Sequence, residues 1–205
     1  MPDILLGQAY YLRFDPKLWA AQQPYAPLGT LYAASYLRQR GHEPALFDAM
    51  LADSVADWSA ALARTRPRMA AIYEDSFNYL SKMCLLRMRE AALAMIDRAR
   101  TAGVRVVVSG SDATDHPEIY LRRGAEAVIL GEGEVTLADV MDRVRAGLPI
   151  DGVPGVAYLD NGCHLQRTAP RPFIKSLDEL PLPAWDLVDV ERYRRIWLER
   201  HGYYS

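Results

Sequence analysis

The chain has 205 residues, of which 50% are hydrophobic and 24% are charged, and its formal net charge at pH 7 is −2. This composition is typical of a globular domain, and the slight negative charge argues against nucleic acid or an anionic membrane as a partner. No apolar run approaches the roughly 20 residues of a membrane-spanning helix, and the N-terminus lacks the basic flank of a signal peptide. Cys84 and Cys163 form neither a metal-ligand spacing nor a disulfide framework, so we expect a cytoplasmic protein without metal ligands of its own.

Short apolar runs alternate with helical patterns through residue 147. The predicted strands cover residues 3–7, 44–49, 69–74, 104–109 and 125–131. The predicted helices begin near residues 28, 54, 81, 116 and 134, and glycines follow most of them. Ser54 is typical of a helix N-cap, and Pro117 suits a first helical turn. Residues 8–27 form a long aromatic loop, and loops of that length are usually functional or disordered; its aromatic content argues against disorder.

Five strand–helix repeats predict a parallel sheet with helices on both faces. Right-handed crossovers leave only doubly wound, Rossmann-like topologies, and for five strands the flavodoxin-like order 2-1-3-4-5 is our first choice. After residue 150 the sequence predicts a β-hairpin around "DNG", a proline-rich linker and an amphipathic helix. We therefore divide the chain into residues 1–150, the ligand-binding domain, and residues 151–205, a hairpin and connector. The abrupt end at "HGYYS" suggests a piece of a longer protein.

Polar, glycine-bearing segments follow the third, fourth and fifth strands, where open α/β sheets bind ligands. The segments are "YEDSFN", "SGSDATDH" and "GEGE". A dinucleotide site would need G-x-G-x-x-G after the first strand. A flavin mononucleotide site would need a Ser/Thr/Gly-rich loop at the same place. A phosphoacceptor site would need acidic residues after the first strand and a lysine after the fifth. None of these is present. A large, mostly neutral ligand fits better, because Gly110, Gly131 and Gly133 let the backbone approach it closely.

Simpler interpretations of these segments remain open. Both glycine-bearing segments could be ordinary strand-to-helix turns. Asp112, Asp115 and His116 resemble a metal cluster, but turn and helix-cap roles are commoner for such residues. Glu74 and Asp75 resemble an acid–base pair, but adjacent residues of an extended segment point to opposite sides.

Three segments resemble the N-terminal half of cobalamin-dependent radical S-adenosylmethionine enzymes. They are "PYAPLGTLYAASYLRQRGHEPALFDA", "VVVSGSDATDHPEIYLRRGAEAVILGEGEVTLADV" and "IKSLDELPLPAWDLVDVERYRRIWLERHGYYS". The resemblance covers nearly the whole chain, and the order of the three segments makes it specific. It implies a flavodoxin-like domain that binds cobalamin with its benzimidazole tail displaced beside the sheet.

The resemblance implies that the tail runs past the segments after the third, fourth and fifth strands, with the corrin over the strand ends. The implied cofactor-binding residues are Leu28, Gly29, Glu74, Asp75, Ser76, Ser109, Gly110, Ser111, Gly131, Glu132 and Gly133. D-x-H-x-x-G, with which other cobalamin proteins supply a histidine to cobalt, is absent, so we expect no histidine ligand.

The chain also departs from the family pattern. Family members continue into C-x-x-x-C-x-x-C, which holds a [4Fe–4S] cluster and S-adenosylmethionine, and this sequence has no such motif. We therefore expect no catalytic residues here, and a radical domain in cis beyond residue 205 that would carry out methyl transfer or a radical rearrangement. The alternative is a flavodoxin-like interaction module that has lost the cofactor.

Overall fold

The computed structural model describes residues 1–74 and 85–204. Of the predicted cofactor-binding residues, Asp75 and Ser76 lie outside the described residues. Cys84 and the start of the third predicted helix, near residue 81, also lie outside them.

Seven strands form a single sheet in the order β2-β1-β3-β4-β5-β6-β7. The strands are β1 (Ile4–Gly7), β2 (Pro44–Phe47), β3 (Met69–Tyr73), β4 (Arg105–Ser109), β5 (Ala127–Ile129), β6 (Val156–Leu159) and β7 (Leu165–Arg167). The first five are mutually parallel, in the predicted order 2-1-3-4-5. The chain order reverses between β1 and β3, which places the crevice of a doubly wound sheet at their carboxyl ends.

The predicted five-stranded sheet is wrong in its number of strands. The β6–β7 hairpin does not stand apart but continues the sheet, with β6 antiparallel to β5 and β7 antiparallel to β6. Ile129 pairs with Val156 and Val128 with Ala157. The hairpin covers the three-residue edge strand β5, whose backbone groups would otherwise be left unpaired. As a result, β7 runs parallel to β5, and its carboxyl end lies at the same side of the sheet as the carboxyl end of β5.

Helices cover both faces of the sheet, as predicted. They are α1 (Pro16–Ala21), α2 (Leu28–Gln39), α3 (Val55–Thr65), α4 (Leu85–Thr101), α5 (Ser111–Asp115), α6 (Pro117–Arg123), α7 (Glu134–Arg145) and α8 (Val190–His201). Apolar residues of α3, α4 and α6 pack on one face, and those of α2 and α7 pack on the other. Alternate strand residues serve the two cores: Leu5 faces the first, while Ile4 and Leu6 face the second.

Local sequence signals account for several helix ends. Ser54 and Asp57 form a capping box at the start of α3, and Pro117 begins α6, as predicted. The loop 8–27 contains the unpredicted helix α1, whose N-cap Asp15 accepts hydrogen bonds from the backbone of Lys17 and Leu18. Among the described residues, none of the helices combines the length and the hydropathy that crossing a bilayer requires.

The C-terminal connector packs along α2 and then crosses the loop 8–27. Ser35 Oγ donates to the carbonyl of Leu182 at 2.5 Å, and Arg38 makes a bidentate ion pair with Asp186 at 2.7 Å. Helix α8 follows and ends at Gly202, which adopts the left-handed conformation at φ 75°. These contacts attach the connector to α2 at residues 182 and 186.

Candidate functional site

A cavity of about 470 Å³ opens at the carboxyl ends of β3, β4 and β5, a volume typical of ligand sites. Its lining residues are Gly29, Tyr73, Glu74, Ser109, Gly110, Ser111, Thr114, Asp115, Gly131, Glu132, Gly133, Glu134 and Phe173. Strand register brings these segments together, because Tyr73 pairs with Ser109 and Ser109 with Ile129. The residues that follow each strand therefore meet at one edge of the sheet.

Close contacts between neighbouring strand ends explain two of the lining glycines. A Cβ at Gly133 would lie 2.5 Å from Tyr73 Oη and 2.9 Å from Ser109 Oγ, and a Cβ at Gly110 would lie 2.7 Å from Glu74 Cβ. Both positions are therefore small because the protein's own side chains occupy the adjacent space. Gly110 also has φ 153°, which disfavours any other residue.

Gly131 differs from these two glycines. Its φ is 73°, and within the described part of the chain no heavy atom lies within 4 Å of a Cβ built there. A side chain at this position would therefore meet no protein atoms, and Gly131 lines the cavity. Gly131 is thus a lining position whose small size is not explained by crowding from neighbouring side chains.

Two hydrogen bonds fix the side of the cavity nearest the point where the strand order reverses. Glu74 Oε1 accepts from the backbone N–H of Ala9 at 2.7 Å, which joins the loop after β1 to the end of β3. Thr30 Oγ1, in the first turn of α2, donates to the carbonyl of Tyr73 at 2.9 Å. The first turn of α2, with Gly29, is thereby held against the end of β3.

On the face of the sheet that α4 and α6 cover, a polar network anchors α5. Arg89 of α4 donates to both carboxylate oxygens of Asp112, and Tyr120 Oη donates to Asp112 Oδ2 at 2.5 Å. Burial alone would raise the pKa of Asp112, but the hydrogen bonds from Arg89 and Tyr120 hold it below its ordinary value. Burial and the Asp112 carboxylate raise the pKa of Tyr120. Asp112 thus has a structural role, but as the ion-pair partner of Arg89 inside α5 rather than in the turn or helix cap that the sequence favoured. The described residues contain no group of metal ligands.

Residues 169–174, here called the wall segment, bring Phe173 to the cavity. The carbonyl of Ala169 accepts from Gly155 N at 2.8 Å, and Glu132 Oε2 accepts from Ile174 N at 2.7 Å. Phe173 lines the cavity, and it also lines a neighbouring cavity of about 350 Å³ enclosed by the wall segment. This part of the site was not predicted from the sequence.

Among the described residues, the charged side chains that line the cavity are all acidic: Glu74, Asp115, Glu132 and Glu134. Two of these carboxylates accept backbone N–H groups, from Ala9 and Ile174. A ligand with several phosphates would be repelled here. A long, weakly charged ligand suits the site, and the backbone N–H groups at the start of α7 can approach a single anionic group.

The loop 8–27 begins with two buried aromatic residues, Tyr10 and Tyr11. Tyr10 Oη donates to Asp15 Oδ2 at 2.5 Å, and the ring of Tyr11 packs on Phe14 with centroids 4.8 Å apart. Burial raises the pKa of Tyr11. His42 contacts Asp142 at 3.0 Å, away from this loop, and none of the described cavity-lining residues is a histidine.

Leu28 apart, every described residue of the predicted cofactor-binding set lines the cavity, and Leu28 directly precedes the lining residue Gly29. The additional lining residues are Tyr73, Thr114, Asp115, Glu134 and Phe173. The first four are adjacent in sequence to predicted residues or lie in the same segments. Phe173 has no such signal, because it is a single aromatic residue in a proline-rich linker.

A family model described as the B12 binding domain matches residues 19–141. The chain is 29% identical over 172 residues to "Uncharacterized methyltransferase PH0819" of Pyrococcus horikoshii, covering 82% of this chain and 35% of the relative. It is 32% identical over 181 residues to "Hopanoid C-3 methylase" of Methylococcus capsulatus, covering 82% of this chain and 30% of that relative. The chain thus spans about a third of the length of these curated relatives.

Two solved structures share the fold. The cobalamin-dependent S-adenosylmethionine radical enzyme OxsB with aqua-cobalamin bound superposes with a TM-score of 0.70 at 19% identity, covering 91% of this chain and 24% of that chain. The radical S-adenosylmethionine methyltransferase TsrM from Kitasatospora setae, with cobalamin and a [4Fe-4S] cluster bound, gives 0.65 at 18% identity, covering 95% and 38%. At these identities the likeness establishes the Rossmann-like fold.

Proposed function

The chain belongs to the B12-binding domain family, and we propose that the cavity at the carboxyl ends of β3, β4 and β5 receives the nucleotide tail of its cofactor, cobalamin. The corrin ring then lies over the strand ends, beside the aromatic loop 8–27. The observation that carries this proposal is the match between predicted and observed positions: the glycine- and serine-bearing segments after β4 and β5 line one continuous cavity.

The residues of the cavity fit a long, weakly charged ligand. Ser109 and Ser111 offer hydroxyl groups, and Gly131 leaves open space beside the backbone. The acidic side chains Glu74 and Glu132 accept hydrogen bonds from backbone N–H groups, so their role is to hold neighbouring segments of the cavity together. The single phosphodiester of the tail is better served by backbone N–H groups than by these side chains.

The protein's contribution is to bind and orient the cofactor. When bound, cobalamin supplies a cobalt atom that can carry a methyl group or take part in radical chemistry. The hydrogen bonds Ala9–Glu74 and Thr30–Tyr73 hold the elements around the strand-order reversal in place. The packed loop 8–27 shields one face of the corrin from water. No histidine of this chain is proposed as a cobalt ligand.

We assign residues 1–150 to cofactor binding and residues 151–205 to a connector that leads into a downstream radical S-adenosylmethionine domain. The similarity to longer methyltransferases and the exposed apolar side chains of the connector support this assignment. They include Leu177, Leu182, Trp185, Leu198 and Tyr203. The [4Fe–4S] cluster and S-adenosylmethionine would then be held by the downstream domain, and methyl transfer would be the activity of the whole protein.

The test is reconstitution with hydroxocobalamin, followed by desalting and an absorption spectrum. We expect corrin bands that elute with the protein. A matched pair of variants shows whether the cavity is responsible: Gly131→Leu and Gly147→Leu both place leucine in a left-handed conformation, at φ 73° and 68°. Of the two positions, Gly131 lines the cavity and Gly147 does not, so Gly131→Leu should lose the bands and Gly147→Leu should retain them.

Two results would contradict the proposal. Equal retention by both variants would place the cofactor elsewhere on the protein. A folded wild-type protein without corrin bands would instead support the alternative function, a cofactor-free interaction module that uses the exposed apolar side chains of the connector.

A further inference from the structure

Phe173 is a large aromatic side chain that is 75% exposed although it lines two adjacent cavities. We propose that Phe173 packs against the nucleotide base of the cobalamin tail, so that the wall segment (residues 169–174) recognises the base of the cofactor. This inference rests on the proposed function. It adds a contact that discriminates complete cobalamin from corrinoids without a nucleotide.

The wall segment is held at three points. Gly155 N donates to the carbonyl of Ala169 at 2.8 Å, and Ile174 N donates to Glu132 Oε2 at 2.7 Å. Between them, Arg171 donates through Nε to Thr136 Oγ1 at 2.8 Å and makes an ion pair with Asp139 at 2.5 Å. The exposed fraction of the Arg171 side chain is only 18%, so this anchor is partly sheltered from water.

Phe173 lies between the anchors at Arg171 and Ile174. Pro172 precedes it and has a fixed φ of its own, and the two anchors hold the backbone, so the freedom lost when the ring contacts a ligand is mainly that of the side chain. An exposed phenylalanine in a fixed position at the mouth of a cavity has apolar surface that a bound ligand can cover. The position is therefore arranged for contact with a flat, apolar group.

The nucleotide base is the part of cobalamin that suits this position. It is a flat aromatic group, and an aromatic side chain can stack on either of its faces. The corrin ring is the part proposed to lie over the strand ends, on the side of Gly29 and the loop 8–27. Phe173 is on the side of β5, next to Gly131 and Glu132, where the tail would end.

The test compares two corrinoids on the full chain. Hydroxocobalamin carries the nucleotide tail, whereas diaquacobinamide has the corrin without phosphate, ribose or base. Phe173→Ala should weaken hydroxocobalamin binding about tenfold, the effect of losing one aromatic–base contact, and should leave cobinamide binding unchanged. Phe173→Tyr, which keeps the ring, should bind both like the wild type. Leu177→Ala removes another exposed apolar side chain of the same linker, 68% exposed and outside both cavities, and should change neither affinity.

Each other result overturns the inference in a distinct way. An equal loss for both corrinoids would mean that Phe173 contacts the corrin. No loss for either would mean that it contacts neither part. Failure of the wild type to bind either corrinoid would overturn the proposed function itself, and this inference with it.

A second measurement is independent of affinity differences. Chymotrypsin cleaves after exposed aromatic residues, and the Phe173–Ile174 bond can be followed by mass spectrometry. Saturating hydroxocobalamin should slow this cleavage, whereas saturating cobinamide should not. Equal protection by both corrinoids would contradict contact with the base.

Discussion

The backbone N–H of Ala9 lies 2.7 Å from Oε1 of Glu74, and this hydrogen bond joins the loop after β1 to the end of β3. The two residues stand on either side of the point where the strand order reverses. Ala9 is fully buried, so its backbone N–H has no access to water. The Glu74 carboxylate supplies the hydrogen-bond acceptor that this N–H needs. Glu74 thereby supports the loop proposed to cover the corrin.

Glu74→Ala should destabilise the protein by about 1–3 kcal/mol, because it leaves a buried N–H without this acceptor. Glu74→Gln keeps an oxygen that can accept the same bond and should cost less than half as much. Urea unfolding at pH 7 measures both variants. Equal losses would show that the carboxylate charge, rather than the bond to Ala9, carries the effect.

Gly133→Ala should destabilise the protein by about 1–3 kcal/mol and weaken hydroxocobalamin binding. The backbone at Gly133, with φ −98°, accepts alanine. The cost arises because the new Cβ would lie 2.5 Å from Tyr73 Oη and must push that ring into the cavity. The double variant Gly133→Ala, Tyr73→Leu removes the clashing ring atoms, leaves the 2.9 Å contact with Ser109 Oγ, and should recover part of the binding. If the double variant binds no better than the single one, the steric explanation is wrong.

Asp112→Asn should destabilise the protein by about 1.5–3 kcal/mol at pH 7, because hydrogen bonds to a charged group are replaced by weaker ones. The pKa of Asp112 is lowered in the folded state. Its stabilising effect is therefore fully present above the ordinary aspartate pKa and is lost as the pH falls through the lowered one. Urea unfolding of both proteins between pH 7 and pH 3 should show a difference that shrinks in acid. A constant difference would contradict the assignment.

Tyr193→Phe should loosen α8 from the sheet domain. Tyr193 Oη donates to Asp48 Oδ2 at 2.8 Å, and burial raises the pKa of Asp48. Loss of this donor should cost about 1–3 kcal/mol in urea unfolding. The variant removes a hydrogen-bond donor that the charged carboxylate of Asp48 needs more than its protonated form does. The loss of stability should therefore grow as the pH rises through the raised pKa of Asp48. Tyr204→Phe, at an exposed position, serves as the control and should be silent.

The electron paramagnetic resonance spectrum of bound cob(II)alamin should lack nitrogen superhyperfine splitting. His42 is engaged with Asp142, and His201 lies 3.2 Å from the carbonyl of Gln22. Free cob(II)alamin, whose own base coordinates cobalt, provides the comparison spectrum. A nitrogen triplet in the bound form would show either a histidine ligand or an undisplaced base. His116→Ala, adjacent to the lining residue Asp115, would distinguish these two cases.

The parallel part of the sheet was predictable because its signals are local. Apolar runs of β1 to β5 are separated by helices whose ends carry recognisable residues, such as Ser54 and Pro117. The family and its cofactor, cobalamin, were predictable from three segments, and the family match confirms them. Helix α1 was missed although Asp15 followed by Pro16 is a usable start signal.

The β6–β7 extension and the wall segment were not predictable, for a different reason. A hairpin sequence specifies its own turn but not the strand beside which it lies, and Phe173 meets Glu132 and Gly131 only after the chain has folded back. The glycines were also only partly understood from sequence. Gly110 and Gly133 make room for Glu74 and Tyr73, which no sequence pattern reveals.

The number of strands in the hairpin determines at which end of the sheet the chain emerges. Each antiparallel strand carries the chain from one edge of the sheet to the other, so an even number of added strands returns it to the edge that it left. With one strand, the connector would emerge at the amino-terminal edge of β5, about a strand length from the cavity. With two, it emerges beside Gly131, and any domain that follows begins its path at the cofactor-binding end of the sheet.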